Sequence, residues 1–421
     1  MHGQGLARFC LALFACAVAL CAVAFVDRQA RAQTCPDNLI SGGIAWNGST
    51  ALLVASPGIE GGNLYYFWQT TGTSTWHKQL VAAGGCPGPG LQLVTVLGYR
   101  SNAIAWTGNS AIIAAVDQRN GGLYYWWQAA GTTPWHQQTI ANGPPGCCNF
   151  GSVQNGVTTP HVMGYSPPSM AWTGRSVVVT ATDKHGLHYW FQEKGQTTWY
   201  HELVNANSSL DEPSIAWTGT SVVIADICNG AALCYYWQGA GSNIWHQQVV
   251  DNGSNGNPSI AWNGHAVIIA ATHHATDQHP GTATVTYWWQ AAGTALWHTQ
   301  TVSAPRSVPF NDTSYLGPTI AAAGNSIVIA AADISTQAQQ VDYWWSPALE
   351  GGTWNLQNLN ASGSYSGETG PRSIAWTGAS VILTASDVCG NLDYWWQRVG
   401  TTPWNHQRVY TNPSPPGNGG C

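Results

Sequence analysis

One aromatic segment recurs seven times along this 421-residue chain, and it limits the possible folds more than any other feature. The segment Tyr125-Trp126-Trp127 is one copy, and each copy has a tyrosine, a second aromatic residue, and then Trp or Phe. Side chains alternate between the two faces of a strand, so both faces of this strand are apolar and both must be covered. The seven tyrosines are Tyr66, Tyr125, Tyr189, Tyr235, Tyr287, Tyr343 and Tyr394.

The aromatic segment is the third of four parts in a repeating unit of about 45 residues, which insertions lengthen in places. The unit begins with Ser-Ile-Ala-Trp or a close variant, followed by a Gly turn and an apolar β-branched run such as Val222-Val223-Ile224. It ends with a turn such as Gly-Thr-Thr-Pro-Trp and a polar run such as His136-Gln137-Gln138. Runs of this kind between glycine signals are typical of strands, so each unit predicts four short strands.

These units predict an all-β fold, a seven-bladed β-propeller of four-stranded antiparallel blades. A ring of blades covers both faces of every blade, as the aromatic strand requires. The first and last units resemble the middle ones, whereas an open array would need polar caps. No strand is left over to complete a blade from the other terminus, so side-chain packing should close the ring. The predicted blades span residues 41–81, 101–141, 168–205, 213–251, 258–302, 318–360 and 372–410.

Residues 1–32 predict a secretory signal peptide. Arg8 precedes an apolar run from Phe9 to Val26, and Ala30-Arg31-Ala32 forms a small-x-small cleavage site before Gln33. A membrane anchor is the alternative, because the run is just long enough to span a bilayer. No later segment looks transmembrane. We therefore expect a secreted or extracytoplasmic protein in which residues 33–421 form one propeller.

Eight cysteines follow the leader, and an even number in an exported protein indicates disulfides. Cys228 and Cys234 flank an Asn-Gly hairpin, where cross-strand Cβ atoms come close enough for a bridge. Cys35 and Cys421 form the second expected pair, which would tie the two termini together. Metal ligation is the alternative, although the chain has no C-x-x-C pair. The remaining cysteines are left unassigned: Cys86, Cys147, Cys148 and Cys389.

The charge and the motifs exclude several function classes. The net charge is −6 and the few Lys and Arg residues do not cluster, which argues against nucleic-acid binding. The chain has no P-loop, no G-x-S-x-G, no H-E-x-x-H and no dinucleotide fingerprint, so we expect neither an enzyme nor a cofactor. His273, His274, Asp277 and His279 form either a Zn or Cu site or a solvated polar loop, and any metal stays unknown.

An aspartate recurs at the end of the second strand. These carboxylates are either ligand acceptors or caps of their own hairpins, a role that Asp often has at turns. The five aspartates are Asp117, Asp183, Asp226, Asp333 and Asp387.

A tryptophan, a histidine and a glutamine recur at the start of the fourth strand and are the candidate carbohydrate-binding residues. An indole can stack on the C–H face of a sugar, while imidazole and amide groups supply hydrogen-bond donors and acceptors. The alternative is that the tryptophans belong to the core and the polar pair is solvated. The candidates are Trp76, His77, Gln79, Trp135, His136, Gln138, Trp245, His246, Gln248, Trp297, His298 and Gln300.

Over residues 41–410, the repeat Ser-Ile-Ala-Trp … Asp … Gly-x-Leu-Tyr-Tyr-Trp-Trp-Gln … Trp-His-Gln-Gln resembles the unit of bacterial seven-bladed propeller lectins and tectonin-type repeats. The resemblance implies sugar sites in clefts between adjacent blades. We therefore expect a multivalent glycan-binding protein without catalytic activity. One alternative is a protein-interaction scaffold that uses the face carrying the long insertions, and another is a polysaccharide-active enzyme.

Overall fold

The structure is a computed structural model that describes residues 39–57, 62–70, 73–84, 98–143, 164–208, 212–274, 282–303, 306–307, 315–333, 340–348, 351–359, 371–387, 389–398, 401 and 403–413. The proposed signal peptide, residues 1–32, lies outside these ranges. All described residues fall within one compact unit, Pro36–Cys421. Within them the regular structure is β-strand, and no helix is long and apolar enough to cross a membrane.

The strands form seven antiparallel sheets, each built from consecutive segments of the chain. Blades 1 to 3 contain β1 (Leu39–Trp46), β2 (Ala51–Pro57), β3 (Leu64–Gln69) and β4 (Trp76–Ala82); β5 (Tyr99–Trp106), β6 (Ser110–Asp117), β7 (Gly122–Ala129) and β8 (His136–Ala141); and β9 (Ser169–Trp172), β10 (Ser176–Asp183), β11 (Gly186–Glu193) and β12 (Tyr200–Asn205). Blades 4 and 5 contain β13 (Ser214–Trp217), β14 (Ser221–Cys228), β15 (Ala232–Gly239) and β16 (His246–Asp251); and β17 (Ser254–Trp262), β18 (Ala266–His274), β19 (Thr282–Ala291), β20 (His298–Thr301) and the two-residue β21 (Arg306–Ser307), which pairs with β19. Blades 6 and 7 contain β22 (Tyr315–Ala323), β23 (Ser326–Asp333), β24 (Gln340–Ser346) and β25 (Asn355–Leu359); and β26 (Pro371–Trp376), β27 (Ser380–Ser386), β28 (Leu392–Arg398) and β29 (Asn405–Tyr410).

Burial changes across each blade in the order of its strands. The second strand is buried along almost its whole length, as in β6, whereas the fourth strand is the most exposed, as in β8. The third strand, such as β7, is apolar and largely buried on both faces. The aromatic strand is therefore covered on both sides, which confirms the sevenfold propeller expected from its sequence.

The hydrophobic core is divided among the seven interfaces between blades. Each cluster of buried side chains draws on two adjacent blades; for example, Val54 of blade 1 packs with Ile113 of blade 2. The same arrangement closes the ring, because Leu53 and Phe67 of blade 1 pack with Leu392 of blade 7. Closure thus comes from side-chain packing and not from a strand shared between the termini.

The turns of each blade define two faces of the ring. We call the side with the turns between strands one and two and between strands three and four the turn face, and the opposite side the loop face. On the turn face, the Thr107 hydroxyl accepts a hydrogen bond from Ser110 N at 3.0 Å, and Gly108 adopts φ 91°. Glycine suits this turn because residues with a Cβ rarely adopt a positive φ.

The first strands surround a central cavity of about 340 Å³ that residues of all seven blades line. The serine of the Ser-Ile-Ala-Trp string links neighbouring blades here, since Ser169 Oγ of blade 3 accepts a hydrogen bond from Ile215 N of blade 4 at 3.1 Å. Ser214 and Ser259 make the equivalent bond to the next blade, also at 3.1 Å.

One predicted disulfide lies among the described residues. Cys228 and Cys234 are bonded across the hairpin of blade 4, with their Cα atoms 5.9 Å apart, which confirms the prediction. Cys389, which the sequence left unassigned, is also disulfide-bonded. The predicted Cys35–Cys421 pair lies outside the described residues.

Candidate functional site

The tryptophan that begins each fourth strand packs against the preceding blade. Trp135 of blade 2 meets the edge of Tyr66 of blade 1, with ring centroids 5.2 Å apart and an interplanar angle of 75°. The contact that joins blade 1 to blade 7, between Trp76 and Tyr394, has the same geometry at 5.2 Å and 71°. The other five pairs are Tyr125–Trp199, Tyr189–Trp245, Tyr235–Trp297, Tyr287–Trp354 and Tyr343–Trp404.

The histidine and glutamine of the same strand face the following blade. His136 stacks on Trp127 at a centroid distance of 5.0 Å, on the side of blade 2 that covers blade 3. Gln138 accepts a hydrogen bond from Gln192 of blade 3 at 2.9 Å. Each predicted set, such as Trp135 with His136 and Gln138, is therefore divided between two neighbouring clefts. His77, His246 and His298 stack in the same way on the third-strand tryptophan of their own blade.

Each cleft on the turn face is lined by aromatic residues from both blades. The third-strand aromatic residue of one blade and the first- and fourth-strand tryptophans of the next pack against the same buried cluster, and we call these three residues the aromatic trio. In the cleft between blades 5 and 6, Ala322 replaces the first-strand tryptophan. The complete trios are Trp68, Trp106 and Trp135; Trp127, Trp172 and Trp199; Phe191, Trp217 and Trp245; Trp237, Trp262 and Trp297; Trp345, Trp376 and Trp404; and Trp396, Trp46 and Trp76.

All of the residues in these six trios are only partly buried. Three of these trios have an accessible histidine beside them, since His136 and His246 are exposed and His77 is half-buried; the exposed His298 lies in the cleft between blades 5 and 6, where the trio is incomplete. A partly exposed indole next to an imidazole offers an apolar surface and a hydrogen-bonding group at the same place. The arrangement suits a ligand with alternating C–H and O–H groups, and it recurs in three clefts of the ring.

The fourth-strand glutamine ties the two blades together. Gln79 of blade 1 donates a hydrogen bond to Thr133 O of blade 2 at 2.5 Å, and its Oε1 accepts one from Gln128 of blade 2 at 3.1 Å. At the ring closure, Gln407 accepts from Gln69 at 3.1 Å. Gln248 donates to Ala295 O at 2.6 Å and Gln300 to Gly352 O at 3.0 Å. This tie supplies a structural reason for the glutamine, which the sequence alone attributed to ligand binding or to a solvated strand.

The indole N–H groups of the fourth-strand tryptophans differ in their partners. Trp245 Nε1 donates to Glu202 Oε2 at 2.7 Å, and Trp404 Nε1 donates to Gln357 Oε1 at 3.1 Å. The other five nitrogens are buried without a partner among the described residues, and they belong to Trp76, Trp135, Trp199, Trp297 and Trp354. Most of these clefts therefore hold a buried N–H group without an acceptor among the described residues, and an unsatisfied buried donor is energetically costly.

Burial controls the electrostatics behind the clefts. The third-strand tyrosines lie under the aromatic trios, and desolvation raises the pKa of Tyr66, Tyr125 and Tyr235 well above the usual value for tyrosine. These hydroxyls therefore stay neutral in the ordinary pH range. In blade 3 a carboxylate, Glu202, replaces the fourth-strand glutamine, and burial together with this carboxylate raises the pKa of Tyr189.

The recurring aspartates lie on the loop face, away from the aromatic trios, and are 0–4% exposed. Asp117 caps its hairpin by accepting a hydrogen bond from Arg119 N at 2.9 Å, and Asp183 accepts one from His185 N at 2.7 Å. Asp387 accepts from Cys389 N at 3.0 Å. The capping role is thus observed in three blades.

The histidine-rich hairpin of blade 5 is only partly described. His273 Nδ1 lies 3.1 Å from Asn255 Oδ1 and 3.3 Å from Asp251 Oδ2. Asp277 and His279 lie outside the described residues. Within the described ranges, no three His, Cys, Asp or Glu side chains are grouped so that they could hold a metal ion.

Sequence reasoning missed two features of the clefts. It used the first-strand tryptophans, such as Trp106, only as markers of the repeat and the third-strand ones, such as Trp68, only as apolar residues that need cover. It also grouped Trp135 with His136, although neighbouring residues on a strand face opposite sides. That alternation was the signal that could have separated them.

No protein-family model matches the sequence, and no curated protein matches it. Among solved structures, the chain is similar to the BP39L lectin from Burkholderia pseudomallei, with TM-score 0.60 and 13% identity over 87% of this chain and 97% of that one. It is also similar to a prolyl endopeptidase, with TM-score 0.53 and 10% identity over 89% of this chain and 50% of that one. At these identities, the two similarities show a shared fold.

Proposed function

We propose that this protein is a secreted, non-catalytic carbohydrate-binding propeller that holds glycans in the clefts between its blades. The observation that carries the proposal is the aromatic trio, which six of the seven interfaces present on the turn face. Aromatic side chains bind the C–H faces of sugars, and in three of these clefts a neighbouring histidine supplies a hydrogen-bonding group for hydroxyls. The fold similarity to a lectin supports the same conclusion.

Multiple weak sites on one ring would act together on a branched or polymeric glycan. Once one sugar is held, the next is at high effective concentration, so the overall avidity exceeds the affinity of any single cleft. Removing one cleft should therefore reduce binding only in part. The proposed export follows from the leader, and the secreted product should begin at Gln33 in a mass measurement.

The direct test is a glycan array probed with wild-type protein and with a variant carrying alanine at His77, His136, His246 and His298. Removing these accessible side chains leaves the glutamine ties between blades intact, so the stability of the protein should change little. We expect strong loss of glycan binding in this variant. The control is His185→Ala, an exposed histidine on the loop face, which should bind as wild type.

The same array separates a glycan site in the clefts from a site on the loop face, which is the face that the interaction-scaffold alternative uses. Unchanged binding in the four-histidine variant, together with loss of binding after deletion of residues 143–165, would move the site to the loop face. Turnover of a bound polysaccharide by the wild-type protein would instead indicate an enzyme.

A further inference from the structure

The cleft between blades 3 and 4 differs chemically from the other six. Tyr200 replaces the residue that is His or Asn in the other blades, and Glu202 replaces the glutamine. Tyr200 is 50% exposed and stacks on Phe191 with centroids 4.9 Å apart and an interplanar angle of 18°. This cleft therefore combines an accessible aromatic plate with a carboxylate.

The carboxylate is held by neutral donors. Glu202 Oε2 accepts hydrogen bonds from Gln238 Nε2 at 2.8 Å and from Trp245 Nε1 at 2.7 Å. Gln238 is buried, and Glu202 itself is half-buried. Within the described part of the chain, no Lys, Arg or His forms a salt bridge with Glu202. A partly desolvated carboxylate without a counter-charge favours a cation beside it.

A backbone carbonyl strengthens this preference. In five other clefts the glutamine amide donates to the carbonyl two residues before the next tryptophan, as Gln248 does to Ala295 O at 2.6 Å. The equivalent carbonyl in this cleft belongs to Asn243, and a carboxylate has no N–H to offer it. Two acceptors, Glu202 and Asn243 O, thus occupy the places where those five clefts hold a donor and an acceptor.

We propose that the cleft between blades 3 and 4 binds a sugar that carries a free ammonium group. This inference rests on the proposed carbohydrate binding. An ammonium has three donors and no acceptor, so it can bond to both Glu202 and the Asn243 carbonyl. The sugar ring then lies against Tyr200, whose exposed face suits its C–H groups. An acetylated amine is neutral and has one N–H, so it satisfies the two acceptors less well.

The test compares unacetylated glucosamine oligomers with N-acetylglucosamine oligomers of equal length by isothermal titration calorimetry. Wild-type protein should bind the amine form about tenfold more tightly at one site, the factor expected for a charge-assisted hydrogen bond. Glu202→Gln should abolish this preference without unfolding the ring, because glutamine occupies the same position in the other six blades. Gln138→Glu should add a second amine-preferring site.

Matched measurements keep this inference separate from the proposed function. The control Glu193→Gln removes an exposed carboxylate from the same blade and should leave the preference unchanged. If Glu202→Gln keeps the wild-type preference while neutral oligomers still bind, the ammonium site is refuted and carbohydrate binding stands. If neither oligomer binds the wild-type protein, the ammonium site is refuted, and carbohydrate binding is refuted as well only if the glycan array also shows no bound glycan. If a lysine-rich peptide competes with the glucosamine oligomer equally well, the ligand of this cleft is a protein amine and not an amino sugar.

Discussion

Replacing Trp245 with phenylalanine should destabilise the protein considerably more than the same replacement of Trp135. Both indoles contact a tyrosine of the preceding blade edge-on, at 5.1 Å for Trp245 and 5.2 Å for Trp135, so the loss of packing is similar. The difference lies in the N–H groups. Trp245 donates to a carboxylate, whereas Trp135 Nε1 is buried with no partner among the described residues.

The magnitude follows from those two environments. A hydrogen bond to a charged group contributes about 1.5–3 kcal/mol, and an unsatisfied buried donor costs about 1–3 kcal/mol. Trp245→Phe loses the first contribution, while Trp135→Phe removes the second cost. The free energies of unfolding of the two variants should therefore differ by roughly 2.5–6 kcal/mol. Urea denaturation followed by far-UV circular dichroism measures this difference. Equal losses in the two variants would show that the two N–H groups have equivalent environments and would refute the reasoning.

Three further predictions concern the ties, the disulfide and the response to pH. Gln79→Ala removes two bonds between blades and should lower the free energy of unfolding by about 1–3 kcal/mol, measured by urea denaturation; an unchanged midpoint would contradict the tie. Replacing Cys228 and Cys234 with serine opens a short loop and should lower the free energy of unfolding by about 2 kcal/mol; a wild-type protein whose stability does not fall when a reducing agent breaks this disulfide would contradict the prediction. Burial, followed by the neighbouring His188, lowers the pKa of His201, so the unfolded chain binds its proton more readily than the folded one. Stability should fall as pH decreases below about 6.5 and reach a plateau above it, and His201→Asn should flatten this dependence in thermal melts at successive pH values.

The architecture could be predicted from the sequence because its determinant lies within each repeat. The aromatic residues on both sides of Tyr125 require cover on both faces of one strand, and this requirement does not depend on distant parts of the chain. Cys228 and Cys234 could be paired for the same reason, since a single hairpin joins them.

The site was harder to predict because each cleft is made by two repeats. The partner of Gln79 is a backbone carbonyl at Thr133 in the next blade, and no feature of the first repeat reveals it. The role of Trp135 likewise depends on Tyr66 of the preceding blade. A repeated polar residue therefore looked like a ligand group when its recurrence also serves to join the blades.

The most direct test of carbohydrate binding is a count of glycan molecules per protein chain by native mass spectrometry, using the best ligand from the array. Binding at repeated clefts predicts several bound molecules per chain, and fewer in the variant with alanine at His77, His136, His246 and His298. A single bound molecule that this variant retains, or no bound glycan at all, would contradict the account.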